Sequence, residues 1–331
     1  MLICKTPFRV SLFGGGTDHP SWFQKNRGYT ISFTIDKYCY VAFRSLPKLF
    51  KHNYRLRYFK NERVRKISDI KHPSIKAVFK KYLKKNISAE VVHSSDIPGL
   101  SGLGSSSAFT VSLIKLLSKF NKLEFSKKRI AQDSIYLERK ILKENVGCQD
   151  QYACSFGGFN LIKYKKNKIN LKKVNILGKN KKKLIDNLLL VYSNINRKSD
   201  PIEKDKIKNL KANKKILNEL NFNTIKGKKL LETKLNISLE KVAELLNQNW
   251  SLKKKLSNLV SNTKIDRLYN FGMKNGAIGG KLLGAGGGGY VLFLTKNQNY
   301  QKRLIKKLGK RVYFKFDIDH KGSEIIYNSY E

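Results

Sequence analysis

Pro98-Gly99-Leu100-Ser101-Gly102-Leu103-Gly104-Ser105-Ser106-Ser107-Ala108 runs directly into a helical pattern, with Phe109, Leu113, Leu116, Leu117 and Phe120 at i, i+4, i+7, i+8 and i+11. Glycines let a backbone approach a ligand closely, and the helix that follows offers unpaired amides and a positive dipole end. Together they make a cradle for phosphate, in which serine hydroxyls ligate Mg²⁺ or hydrogen-bond phosphate oxygens. The bland alternative is a flexible Gly/Ser connector ending in a serine cap. Neither a GxxxxGK[ST] loop nor a GxGxxG fingerprint occurs in this stretch, so the common nucleotide folds are not indicated by it.

Upstream, Leu2 to Ser11 reads as a strand running into Gly14-Gly15-Gly16. Tyr29 to Arg44 and the region of Val91 and Val92 read as further strands. Downstream, a second helix starts near Ser126, and Phe159–Tyr164 with Ile169–Val174 forms a hairpin. A strand covers Leu188 to Ser193, and Val242, Leu245, Leu246 and Asn249 follow helical spacing. Strands Ala277–Leu283 and Tyr290–Leu294 flank Gly284 to Gly289, and a short basic helix and a strand Val312–Ile318 close the chain. Strands and helices mix without regular alternation, so the fold class is α+β in two lobes. The Lys/Asn-rich stretch from about Lys179 sets the expected boundary, with domains 1–180 and 181–331.

The chain has 331 residues, enough for a large core. Its net charge of +44 raises nucleic acid as a partner. Lys outnumbers Arg roughly four to one, however, and the basic runs lack interleaved aromatics. No specific nucleic acid is expected, and the positive field favours polyanionic small substrates. The four cysteines show no CxxC spacing, so zinc and disulfide frameworks are not indicated. No signal-like stretch or membrane-length apolar run appears, which points to a cytoplasmic protein without membrane insertion.

Three further constellations carry chemistry. Glu138 falls in the middle of the apolar stripe of its helix, where a carboxylate needs a partner: Mg²⁺, or a cation such as Arg129 or Arg9. Asp150 follows a glycine turn and can accept or orient a hydroxyl proton, or merely cap a helix. Arg9 and Asp18 bracket Gly14 to Gly16, where a cation could neutralise a transferring phosphoryl group and a carboxylate could hold sugar hydroxyls; a salt bridge is the alternative. The dense run Gly284 to Gly289 suggests a close backbone approach, or else a loose hairpin turn.

Taken together, these pieces resemble the GHMP kinase superfamily across nearly the whole chain. Its first motif resembles Thr6 to Asp18, its second Pro98 to Ala108, and its third Lys281-Leu282-Leu283 with Gly284 to Gly289. Within it, Gly14-Gly15-Gly16-Thr17-Asp18, Cys148 to Ala153 and Gly157-Gly158-Phe159-Asn160 look most like heptose 7-phosphate kinases. Galactokinases carry Gly-Glu-His-Thr-Asp at the first of these segments, and fucokinases and related anomeric kinases are the nearest alternative. The resemblance implies an ATP-binding N-terminal lobe with a mixed sheet and helices, and a ferredoxin-like C-terminal lobe. It implies transfer of the γ-phosphoryl of ATP to the anomeric hydroxyl of a sugar or sugar phosphate, with ATP and Mg²⁺ as cofactors. Asp150 is implied as base or orienter, Arg9 as the cation at the phosphoryl group, and Pro98, Gly99, Leu100, Ser101, Gly102, Leu103, Gly104, Ser105, Ser106 and Ser107 as the nucleotide loop. Ser106 and Glu138 are implied as metal ligands. Gly16, Thr17, Asp18, Gly286 and Gly287 are expected at the substrate, and Arg197 is the candidate for its phosphate. A non-catalytic sensor on the same fold is the rival class, and a homodimer is left open.

Overall fold

β1 (Leu2–Gly14) is buried without a break from Thr6 to Gly14: Phe8, Val10 and Leu12 alternate with Arg9 and Ser11, and both faces of the strand are covered. The computed structural model describes residues 1–197 and 199–330. After β1 come α1 (Pro20–Phe23), β2 (Gly28–Ser45), β3 (Tyr54–Arg57), β4 (Asn61–Val64), α2 (Pro73–Tyr82) and β5 (Ala89–Ser95). These are followed by α3 (Ser105–Phe120), α4 (Lys127–Tyr136), α5 (Gln149–Phe156), β6 (Phe159–Lys165) and β7 (Lys168–Lys173).

The first sheet runs β12-β1-β2-β5-β3-β4, where β12 is Glu324–Asn328, and β6 and β7 branch from β2. The 18-residue β2 makes the branch: Gly28–Phe33 pair with β6, and Cys39–Ser45 with β5. Along β1 the pairing with β2 shifts register between Pro7 and Arg9. A proline has no amide to lose at such an irregularity, and a bulge re-aims the side chain beside it. Arg9 there donates its backbone N–H to Leu103 O (3.0 Å) instead of to a sheet neighbour.

The remaining elements are α6 (Gly178–Asp186), β8 (Leu188–Tyr192), α7 (Asp200–Lys208), α8 (Lys214–Leu231), α9 (Leu239–Lys254), α10 (Thr263–Lys274), β9 (Ala277–Leu282), β10 (Tyr290–Thr295), α11 (Gln298–Leu308) and β11 (Tyr313–Phe314). Their antiparallel sheet has the order β11-β8-β10-β9, with helices between β8 and β9 and between β10 and β11. That is the split βαββαβ, ferredoxin-like arrangement. The fold is α+β, as expected. Helices α3 and α5 lie against β1, as do α8 and α9 from the second half of the chain. One buried apolar cluster joins Phe8, Val10 and Leu12 to Leu190, Leu292 and Leu294, so the two sheets share a core.

Chain position and spatial lobe part company twice. Residue 180 lies inside α6, whose lysines mark a solvated helix face and not a linker, and β12 returns to pair with β1. The expected strand 312–318 shortens to Tyr313–Phe314 in β11, with Ile318 in a single bridge to Ile35.

The third glycine run packs against protein. A Cβ on Gly284 (φ +66°) would lie 2.8 Å from Gly102 Cα, and one on Gly289 would lie 2.3 Å from Ser101 O. Gly284→Ala should therefore cost about 3 kcal/mol, combining positive-φ strain with a backbone clash. Gly178→Ala, at the start of α6 with open space around it, should be neutral or stabilising by about 0.5 kcal/mol. Urea denaturation of both variants checks the contrast.

Candidate active site

One cleft, open to solvent, is lined by β1 and the loop after it, by the α3 entry loop, by the loop into α5, by α7 and by the glycine turn after β9. At its centre, Arg9 Nε donates to Asp150 Oδ1 (2.7 Å) and Nη2 donates to Oδ2 (2.6 Å). Arg9 Nη1 donates to Gly102 O (2.6 Å). The salt-bridge alternative for Arg9 is thus realised with Asp150, not with Asp18, and it occurs inside the cleft. A planar guanidinium grips a carboxylate through two parallel bonds, which fixes the position of both oxygens. Each oxygen keeps a lone pair for a further donor.

The α3 entry loop supplies the next wall. Leu100, Gly102 and Gly104 take positive φ, and Gly104 caps α3 without a side-chain bond, so the first turn stays open toward the cleft. Leu100, Gly102, Gly104, Ser105, Ser106 and Ser107 line the cleft. The rest of the expected nucleotide loop does not. Pro98 and Gly99 are exposed outside it, Leu103 is core, and buried Ser101 accepts Tyr290 N–H through its carbonyl.

Glu138 is 1% exposed and lies in a π-helical turn, Leu137–Ile141, that continues α4. Its partner is neither Arg129 nor Arg9. Ser107 Oγ donates to Glu138 Oε2 (3.0 Å), as does Gln151 Nε2 (2.5 Å), while Oε1 is buried with no partner. Burial pushes its pKa up to about 8, against the pull of Gln151. The hydroxyl beside Glu138 belongs to Ser107; Ser106, expected in that role, is exposed on the cleft side of the helix start. No cluster of three or more acidic, His or Cys ligands occurs among the described residues. One carboxylate with an idle oxygen beside a hydroxyl nevertheless suits Mg²⁺, which completes its shell with phosphates and water.

Asp18 is buried and lines the cleft, and burial raises its pKa. Gly147 makes room for it, since a Cβ there would fall 1.9 Å from Asp18 Oδ2. Gly16 also faces the cleft. Thr17 is turned away, its hydroxyl donating to Tyr29 O (3.2 Å). Gly286 and Gly287 lie behind the wall: Gly286 abuts Val260, and Gly287 abuts Ile202 and Arg197. Their neighbours Gly284 and Ala285 do face the cleft.

Several cleft residues carry no motif. Glu203 Oε2 accepts from His19 Nε2 (2.9 Å), and Oε1 accepts from Lys206 Nζ (3.0 Å). Burial opposes the Glu203 charge, but Lys206 and His19 outweigh it and hold the carboxyl well below its usual range. Lys253 Nζ donates to Leu282 O (3.0 Å) and Gly284 O (2.5 Å). In sequence, Lys206 and Lys253 look like ordinary members of lysine-rich helices. The available hints were the i,i+3 pairing of Glu203 with Lys206 and the adjacency of His19 to Asp18.

Two family descriptions match this chain, the GHMP kinases N terminal domain over residues 71–158 and the GHMP kinases C terminal over residues 228–314. The chain is 32% identical over 319 residues to a D-glycero-alpha-D-manno-heptose 7-phosphate kinase of Campylobacter jejuni, covering 92% of this chain and 93% of that one. It is 26% identical to a galactokinase of Thermosipho africanus, over 95% of this chain and 94% of the other. Among solved structures, a D-glycero-D-manno-heptose 1-phosphate kinase of Bacteroides thetaiotaomicron superposes with a TM-score of 0.80 at 20% identity, over 99% of this chain and all (100%) of its own.

Because the folded-state pKa of Glu203 is depressed, its stabilisation is fully present above the ordinary carboxyl value of 4.5, declines progressively below it and is lost only as pH falls through the depressed folded value. Glu203→Gln should cost about 3 kcal/mol at pH 7, since it strands Lys206 in the interior, and somewhat less at pH 3, where the native carboxyl is still ionised but part of its linkage to folding is gone. Denaturant unfolding at the two pH values measures this.

Proposed function

The chain belongs to the GHMP kinases, and from that premise we propose that this phosphotransferase moves the γ-phosphoryl of ATP to the anomeric hydroxyl of D-glycero-D-manno-heptose 7-phosphate. The observation that carries the reading is the Arg9–Asp150 pair, set between the open first turn of α3 and the buried Asp18 carboxylate in one cleft. Phosphates would lie at the α3 start, where amides and the helix dipole favour negative charge. The sugar would lie against Asp18 and Gly16, with its reacting hydroxyl at Asp150. The 32% identity to the Campylobacter enzyme over nearly the full length of both chains supports the heptose 7-phosphate assignment.

In this reading Asp150 orients the hydroxyl and takes its proton as the oxygen attacks the γ-phosphorus and the bond to the β,γ-bridging oxygen breaks, releasing ADP. Arg9 holds the carboxylate in place and puts a guanidinium beside the developing charge. Glu138 and Ser107, with Ser106 at the rim, would hold Mg²⁺. When bound, the ion screens the triphosphate and polarises the transferred group. Catalysis rests chiefly on positioning. No helix among the described residues is long and apolar enough to cross a membrane, and we assign the reaction to the cytoplasm.

Asp150→Asn removes the proton acceptor and one half of the ion pair. Turnover with ATP and heptose 7-phosphate should fall by about 10²-fold or more, with the dissociation constant of an ATP analogue changing less than about threefold. Wild-type turnover in that variant would remove Asp150 from the mechanism. If the native chain bound ATP and the sugar without consuming ATP, the sensor reading would replace the kinase.

A further inference from the structure

The wall of the cleft formed by α7, the end of α9 and the loop after β8 carries more positive charge than it neutralises. Arg197, Lys206 and Lys253 all line it, and each bears electrostatically on a neighbour within the group. The carboxylate that acts on Arg197 and Lys253 is Glu203, which Lys206 and His19 already occupy. Arg197 Nε is buried with no hydrogen-bond partner among the described residues. Lys253 has two backbone carbonyls and, among the described residues, no carboxylate within ion-pair distance.

Desolvated cations without counter-charge are costly, and a fold retains them where a ligand supplies the missing charge. Burial pushes the Arg197 pKa down to about 10, and it pushes that of Lys253 well below the usual lysine value, with Lys281 and Lys206 adding to the effect. The third glycine run makes room for this group. A Cβ on Gly287 would fall 2.9 Å from Arg197 Cδ, and one on Gly288 would fall 3.0 Å from Arg197 Cγ. The glycines that abut no ligand thus let the arginine stem lie flat against the turn.

We propose that Arg197, Lys206 and Lys253 form an anion subsite in the acceptor half of the cleft, and that it takes the phosphate monoester which the acceptor sugar already carries. This rests on the kinase reading of the cleft, and extends it by naming what distinguishes a sugar phosphate from a free sugar. A phosphate monoester brings close to two negative charges and three acceptor oxygens. Arg197 supplies an unused fork, Lys206 keeps two ammonium hydrogens after serving Glu203, and Lys253 keeps one after serving Leu282 O and Gly284 O. Glu203 fixes Lys206 and, through His19, ties this subsite to the loop that carries Asp18.

The test measures binding, so that it does not depend on turnover. With the nucleotide site filled by a non-hydrolysable ATP analogue and magnesium, calorimetry compares D-glycero-D-manno-heptose 7-phosphate with the unphosphorylated heptose. The native chain should bind the phosphorylated sugar about 100-fold more tightly, and Arg197→Gln should bring that ratio to within about threefold of unity. Lys253→Met serves as the second variant and should lower the ratio by about 10-fold even if Arg197→Gln folds poorly. Equal binding of the two sugars by the native chain overturns the proposal, as does a ratio left intact in both variants. A loss confined to affinity for the ATP analogue also overturns it, by assigning these cations to the nucleotide. An Arg197-dependent preference in a chain that never consumes ATP would sustain the subsite and sink the kinase reading alone.

Discussion

A single bidentate ion pair holds the working parts of this protein in register. Arg9 comes from the irregular stretch of β1, Asp150 from the first turn of α5, and the third guanidinium nitrogen reaches the carbonyl of Gly102 in the loop before α3. Three segments far apart in the chain are thus fixed by one side chain that is itself almost wholly buried. The backbone of the same residue adds the bond to Leu103 O. Once those contacts form, a carboxylate, a cation and an open helix start can share one small volume of reduced dielectric, where each acts more strongly than it would in water.

The other constraint is close backbone packing. The turn after β9 presses against the α3 entry loop at Gly102 and Ser101, and against Arg197 on its other side. The second lobe therefore shapes the α3 entry loop and the Arg197 side of the cleft together, and Lys253 fastens the turn through Leu282 O and Gly284 O. Charge is balanced locally and unevenly. Arg9 is matched by Asp150 and Lys206 by Glu203, while Glu138 keeps an idle oxygen and Arg197 an idle nitrogen. Buried polar atoms without partners are uncommon in folded proteins, and here His19 Nδ1, Gln151 Oε1, Arg197 Nε and Glu138 Oε1 all belong to residues of a single cleft and its immediate surround.

Much of this was legible in the chain itself. The loop Pro98–Ala108 and the helix after it were legible as a glycine-rich entry to a helix with an apolar stripe, because glycine content and 3.6-residue periodicity are local properties. Glu138 stood out because a carboxylate on an apolar stripe is an energetic anomaly at the level of sequence, and Asp150, Arg9 and Asp18 followed from the motifs around them. The α+β class followed from the mix of strand and helix patterns, whereas the ferredoxin-like second sheet was implied only by the resemblance to a family.

What the sequence could not decide was which groups meet. Periodicity cannot say that α4 passes into a π turn, and that turn helps decide that Ser107, not Ser106, faces Glu138. Composition made Lys206 and Lys253 two lysines among many, and only the approach of α7 and α9 to the cleft sets them apart. A glycine run announces a close approach without naming the partner, and here the partners are Gly102, Val260 and Arg197. Local chemistry and spacing are written along one chain, so sequence alone determined the elements and the candidate groups. Burial, ion pairing and shared volume depend on residues distant in the chain, so only the tertiary structure decided which candidates form the site.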